Sequence, residues 1–212
     1  MSAENTNFAL INSKKQIIMK KIMMMLLIAT VAMTASAQNT LRDKNSFTLQ
    51  PKVGLGLASF SGSWEGGGDY KMKVGFVAGV EGEYYVNDWF SAALGVNYAQ
   101  QGWKFENGGV KTTTKLDFIN VPLIANFYVA KGLALKTGLQ MGFLVNAKNE
   151  GVDVKDACKK TNISIPIGIS GEYENFVLDV RYNIAVSKTN RYGDNSQRSD
   201  LIMFTLGYKF QL

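Results

Sequence analysis

The chain has 212 residues, a net charge of +6, 21 glycines and only 3 prolines, enough for one domain with a filled interior. The positive charge is mild and dispersed, which excludes a nucleic-acid surface built on basic clusters. There is no histidine, which removes the usual Ser-His and Asp-His routes of hydrolysis, and the lone cysteine, Cys158, can close no internal disulfide.

Residues 1–37 read as an upstream extension followed by a signal peptide. From Met19 the order is two lysines, an apolar run, then Ala35-Ser36-Ala37 before Gln38. This is the basic, apolar and small-residue order of a secretory signal, and the apolar run is shorter than the roughly 20 residues of a spanning helix. Its removal takes Lys14, Lys15, Lys20, Lys21 and Glu4 with it, so +3 of the +6 leaves. A short periplasmic segment, 38–46, is expected next, and then a β-barrel over 47–212.

Eight runs of strict alternation follow in that region, the signature of strands with unlike faces. They cover about 47–58, 72–86, 89–101, 115–129, 133–146, 162–173, 176–187 and 201–212. In the first, Phe47, Leu49, Val53, Leu55 and Leu57 alternate with Thr48, Gln50, Lys52, Gly54 and Gly56; in the last, Ile202, Phe204, Leu206, Tyr208, Phe210 and Leu212 alternate with Met203, Thr205, Gly207, Lys209 and Gln211. In the fourth run, Pro122 predicts a bulge or weak pairing. Each run is near the ~9–11 residues with which a tilted strand crosses a bilayer.

The gaps between the runs alternate as strictly as the runs do. Those at 86–88, 130–132 and 173–175 are tight, whereas 59–71, 102–114, 147–161 and 187–199 are long and polar. Short turns at one end and long loops at the other mark a bacterial outer-membrane barrel, with the short turns in the periplasm. Aromatic residues gather near the tight turns, where an interfacial girdle belongs: Tyr84, Trp89, Phe90, Phe127, Tyr128, Tyr173, Phe176, Tyr208 and Phe210.

Alternation alone does not say which face points outward. The polar face carries Lys52, Glu81, Glu83, Lys136, Glu172, Asp179, Arg181 and Lys209, four charges of each sign, among glycine, serine, asparagine and glutamine. A narrow interior needs small residues and balanced charge, because burying an unpaired ion is costly. The apolar face therefore points out into lipid, and the charges are expected to form an interior ion-pair network. An eight-stranded barrel is just wide enough for side chains to fill, so the network reads as a plug. The alternative is a narrow channel in which the same charges line a path for ions or small polar solutes. A soluble lipocalin-like carrier is a third class.

The terminal alternating strand is expected to close the barrel against the first, leaving no free edge, and to be the element that barrel-insertion machinery recognises. The stretches NVPLIANFY (120–128), LALKTGLQMGFLVNAK (133–148), LDVRYNIAVSKTN (178–190) and LGYKF (206–210) resemble the PorT-like outer-membrane β-barrel family of Bacteroidetes. The resemblance implies the barrel fold and the outer membrane, and by way of the namesake members it implies a link to secretion.

No spacing points to a catalytic dyad, a cofactor or a metal. Glu150, Asp153, Asp156 and Cys158 match no calcium loop and are crowded by Lys148, Lys155, Lys159 and Lys160. The glycine motifs at 54–56 and 65–69 have no following helix and are not phosphate loops. The aromatics Trp64, Tyr70, Trp103, Phe105 and Tyr192 fall in the long gaps, as contacts for an envelope protein or glycan or as outer interface anchors. The expected partners are thus outer-membrane lipid, the insertion machinery during biogenesis and an envelope protein, with no nucleic acid.

Overall fold

The computed structural model describes residues 44–61, 69–107, 110–155, 159–187 and 198–212; within these, the side chains of 59–61, 69–72, 103–107, 110–111 and 198–199 are not described. The signal-peptide region, Trp64, Cys158 and Tyr192 lie outside the described residues.

The alternating runs become β1 (Phe47–Ser61), β2 (Asp69–Asn87), β3 (Phe90–Asn107), β4 (Val110–Ala130), β5 (Leu133–Asn149), β7 (Thr161–Tyr173), β8 (Phe176–Ala185) and β9 (Arg198–Tyr208). Two short elements complete the set: β6 (Val152–Asp153) folds back on β5, and β10 (Phe210–Gln211) continues β9 beyond Lys209. Every pairing is antiparallel; successive long strands pair with one another, β5 with β7 past the short β6, and β1 pairs with both β9 and β10. The sheet is therefore a closed eight-stranded barrel without a free edge.

The turns at the short end are two-residue connections held by local chemistry. The Asn87 side-chain oxygen accepts the Trp89 and Phe90 amides at 3.1 and 2.8 Å. Gly132 takes a φ of 74° in the turn between β4 and β5, where a Cβ would be strained.

The long end differs from the sequence reading. The gap read as a loop at 102–114 is mostly strand: β3 runs to Asn107 and β4 starts at Val110, in register through Trp103↔Thr114 and Phe105↔Thr112. Tyr70, Trp103 and Phe105, expected in loops, have their backbones in β2 and β3, with Tyr70 opposite Phe105. Polar composition reports contact with water, and antiparallel strands project beyond a bilayer as readily as loops do.

All three prolines coincide with lapses in the hydrogen-bond ladder, because proline has no N–H to donate. Pairing is interrupted beside Pro122 between Leu94↔Leu123 and Asn97↔Asn120, beside Pro166 between Thr137↔Ile167 and Gln140↔Ser164, and beside Pro51 between Leu49↔Phe210 and Lys52↔Gly207. Pro122 thus weakens pairing without shifting register; the register shifts in β4–β5 sit instead at Asp117/Phe118 and Tyr128/Ala130.

The outer wall is apolar, with Val53, Leu55, Phe76, Leu94, Leu123, Leu139, Met141, Ile167 and Leu206 all exposed. Near the short turns it is aromatic: Phe90 and Phe127 rings lie 5.4 Å apart, Trp89 stacks on Phe127 at 6.4 Å, and Tyr208 bridges Phe176 and Phe210 at 5.2 and 4.8 Å. Tyr128 is a correction to the expected girdle. It is buried inside the barrel beside Tyr85, their ring centroids 5.9 Å apart.

Candidate functional site

The interior is built by the inward half of each alternation. Lys52 on β1, Glu81 and Glu83 on β2, Lys136 on β5, Glu172 on β7, Asp179 and Arg181 on β8 and Lys209 after β9 are all buried in the lumen. They form two groups.

The central group holds three cations and two carboxylates. The Arg181 guanidinium donates from Nε to Asp179 Oδ1 at 3.0 Å, from Nη2 to Asp179 Oδ2 at 2.7 Å and from Nη1 to Glu81 Oε2 at 3.1 Å. Lys52 donates to Glu81 Oε2 at 2.5 Å and Lys136 to Asp179 Oδ2 at 2.7 Å, with Lys136 also 3.8 Å from Glu81 Oε1. The planar guanidinium grips both oxygens of Asp179 in a fork while its remaining N–H groups reach Glu81, a geometry that a lysine in its place could not form.

The second group, nearer the short turns, holds one cation and two carboxylates. Lys209 Nζ lies 2.8 Å from Glu83 Oε2 and 2.6 Å from Glu172 Oε1, and it donates to the Tyr85 hydroxyl at 2.7 Å. The Tyr128 hydroxyl lies 2.6 Å from Glu83 Oε1 and 2.9 Å from Glu172 Oε1. Asn126 donates to Glu83 Oε1 at 2.8 Å, and the Ser91 hydroxyl donates to the same oxygen. The excess cation of the first group offsets the excess anion of the second, so the eight charges balance inside a low-dielectric wall.

Glycines on the inward face make room for these long side chains. A Cβ on Gly168 would lie 2.5 Å from the Val180 carbonyl and 2.9 Å from Arg181 Cγ, so the arginine crosses the barrel directly over that glycine. Asn97 and Asn120 face each other across β3–β4, and both amide atoms of Asn97, and of Gln50 opposite Glu81, lack a protein hydrogen-bond partner among the described residues. Such groups are where interior water binds. Beyond them the lumen turns apolar: Ala58, Val77, Ala99, Leu201 and Met203 pack as one cluster, and Leu116, Phe118, Leu144 and Ala147 as another.

All eight charged positions singled out in the sequence are thus buried in the lumen, each paired with at least one opposite charge. Tyr85, Tyr128, Ser91 and Asn126 were missed, as was the apolar fill of the outer half. Parity held the signal for the tyrosines, since Tyr85 follows Glu83 by two residues and Tyr128 follows Asn126 by two. Of the five loop aromatics, Tyr70, Trp103 and Phe105 are placed by backbone only.

A closed antiparallel sheet with an apolar outside, an aromatic girdle at its short-turn end and a charged, filled inside is a transmembrane β-barrel of the bacterial outer-membrane type. Residues 36–191 match the family model described as the outer membrane protein beta-barrel domain, and the chain belongs to that family. Its place is the bacterial outer membrane, in contact with lipid.

Solved structures of similar shape include Neisserial surface protein A (NspA), with a TM-score of 0.52 at 21% identity over 77% of this chain and 97% of that one. OprG from Pseudomonas aeruginosa gives 0.50 at 12% identity over 80% and 97%. Ail of Yersinia pestis, in complex with the heparin analogue sucrose octasulfate, gives 0.50 at 18% identity over 78% and 99%. At these identities the likeness is one of fold. No curated protein matches the sequence.

Proposed function

We propose that this barrel is a non-enzymatic structural, binding or assembly component of the outer membrane whose working surface is its exterior and its long-loop end. The carrying observation is the lumen. Arg181, Lys52 and Lys136 converge with Glu81 and Asp179 across its centre, Lys209 joins Glu83 and Glu172 below them, and apolar side chains fill the outer half. A solute path would have to break ion pairs that have no solvent to fall back on. Reconstituted into planar bilayers, the purified protein is expected to give no stable conductance steps; reproducible steps that respond to Arg181→Gln would overturn this reading in favour of a narrow channel.

The absence of histidine in the sequence and the engagement of Glu81, Glu83, Glu172 and Asp179 in ion pairs support a role without catalysis. The finer reading, a part in secretion or envelope assembly, rests on the likeness of 120–128, 133–148, 178–190 and 206–210 to PorT-like barrels. A photoreactive phenylalanine analogue placed in turn at Trp64, Tyr70, Trp103, Phe105 and Tyr192 tests it. One envelope protein recurring from several positions is expected, and a blank at all five would sink the assembly reading while leaving the plugged lumen intact.

A further inference from the structure

The outer wall of β4–β5 changes character abruptly on the way to the long-loop end. Its outward residues face each other as Val121↔Met141 and Ile119↔Phe143, then Asp117↔Asn146, then Lys115↔Lys148. Asn146 donates to Asp117 Oδ2 at 2.9 Å, so that pair is internally satisfied. The next is two exposed ammonium side chains directly opposite one another, an arrangement that is unfavourable in a sheet unless something anionic lies between them. Among the described residues neither ammonium has a hydrogen-bond or ion-pair partner.

Each neighbouring acid gives one carboxylate oxygen to a backbone amide, and neither forms an ion pair with the two lysines. Glu150 Oε1 accepts the Thr113 amide at 2.5 Å, and Asp153, opposite Lys148 on β6, accepts the Lys155 amide at 2.9 Å. Lys155 reaches back to the Val145 carbonyl at 3.1 Å, adding a third cation at the edge of the apolar wall. Thr113, Lys115, Lys148, Glu150 and Gly151 line a groove of about 330 Å³.

Depth decides what such a groove meets. Lys115 lies four residues beyond Ile119, roughly 10 Å along the membrane normal for a strand tilted by about 40°. That takes it out of the hydrocarbon and into the headgroup layer, on the side of the long external loops.

We propose that Lys115 and Lys148 hold the phosphate headgroup of an outer-leaflet glycolipid, whose acyl chains lie along Ile119, Phe143 and Val145. A phosphate offers three acceptor oxygens and about two negative charges, so it can bridge both ammoniums and relieve their repulsion. The lipid also supplies the apolar tails that the wall beneath the lysines requires.

The test uses the isotope-labelled protein folded in detergent micelles and titrated with purified lipid A while backbone resonances of β4 and β5 are followed. Saturable shifts confined to the region of Lys115 and Lys148 are expected. Apparent affinity should fall at least tenfold, both for dephosphorylated lipid A and for the variant Lys115→Gln/Lys148→Gln, while Lys115→Arg/Lys148→Arg retains it. Equal binding of the dephosphorylated lipid, or undiminished binding by the glutamine variant with unchanged heat-modifiable migration, would overturn the site. Equal shifts from inorganic phosphate alone would make it a free-ion site and overturn the lipid assignment.

Discussion

Replacing Glu81 by glutamine is expected to cost about 3–5 kcal/mol of stability, the range for removing one partner of a buried ion pair. Glu81 Oε2 receives Lys52 and Arg181, while Oε1 faces Arg181 Nη2 at 3.3 Å and Lys136 at 3.8 Å. Glutamine keeps the shape but removes the charge, and it turns an amide N–H₂ towards three cations that then share Asp179 alone. Lys52→Met should cost clearly less, because it leaves the central group with two cations and two carboxylates. Urea unfolding of the protein folded into lipid vesicles, followed by tryptophan fluorescence, distinguishes the two. Equal losses for both variants would mean that Lys52 and Glu81 act as a single ion pair, and not as members of a group in which Glu81 serves three cations.

That network shows where reading the sequence stops. Which residues share a face follows from period two, and the eight charges share the buried one. Which charge meets which is another matter: Arg181 and Glu81 are 100 residues apart and on strands that are not neighbours. Their meeting depends on the stagger of the closed barrel and on the reach of a side chain across it, and neither quantity is local. The glycines were the local trace of this crossing. Gly168 gives Arg181 its passage, and a richly glycine-bearing polar face made sense only as an interior.

The misplacements have physical causes as well. Phe127-Tyr128-Val129 is apolar throughout, so composition assigned Tyr128 to the girdle. Alternation puts its neighbours outside and Tyr128 within, where its hydroxyl serves two carboxylates. Residues 102–114 contain the lysines, glycines and asparagine of a loop, yet also Thr112, Thr113 and Thr114, whose β-branched side chains suit a strand. The apolar fill formed by Leu116, Phe118 and Leu144 was hidden for a related reason. Phe118 and Leu144 lie beside outward apolar residues in the chain, and local hydropathy does not separate two apolar faces of one strand; Leu116, between outward Lys115 and Asp117, marks where the alternation inverts.

The second large effect is expected at Lys209, where the closing seam is thinnest. Main-chain pairing with β1 lapses between Lys52↔Gly207 and Leu49↔Phe210, so Gln50 and Pro51 make no ladder with Lys209 and Tyr208. On the other side Asn175 holds the backbone, its carbonyl accepting the Lys209 amide at 2.7 Å and its side chain donating to the Lys209 carbonyl at 2.8 Å. The ammonium is then the link between this segment and the opposite wall, through Glu83, Glu172, Tyr85 and Tyr128. Lys209→Met strands two buried carboxylates around one tyrosine hydroxyl, and a loss of about 3–5 kcal/mol is expected. Glu172→Gln alone leaves Lys209 paired with Glu83 and should be mild. The combination Lys209→Met with Glu83→Gln and Glu172→Gln removes every charge of the group, so its loss should fall below that of Lys209→Met alone, a coupling of about 0.5–3 kcal/mol in a mutant cycle. Losses that simply add would show that Lys209 stabilises the seam by packing against Tyr85 and Tyr128, whose ring centroids lie 5.4 and 5.7 Å from its nitrogen, and not by its charge.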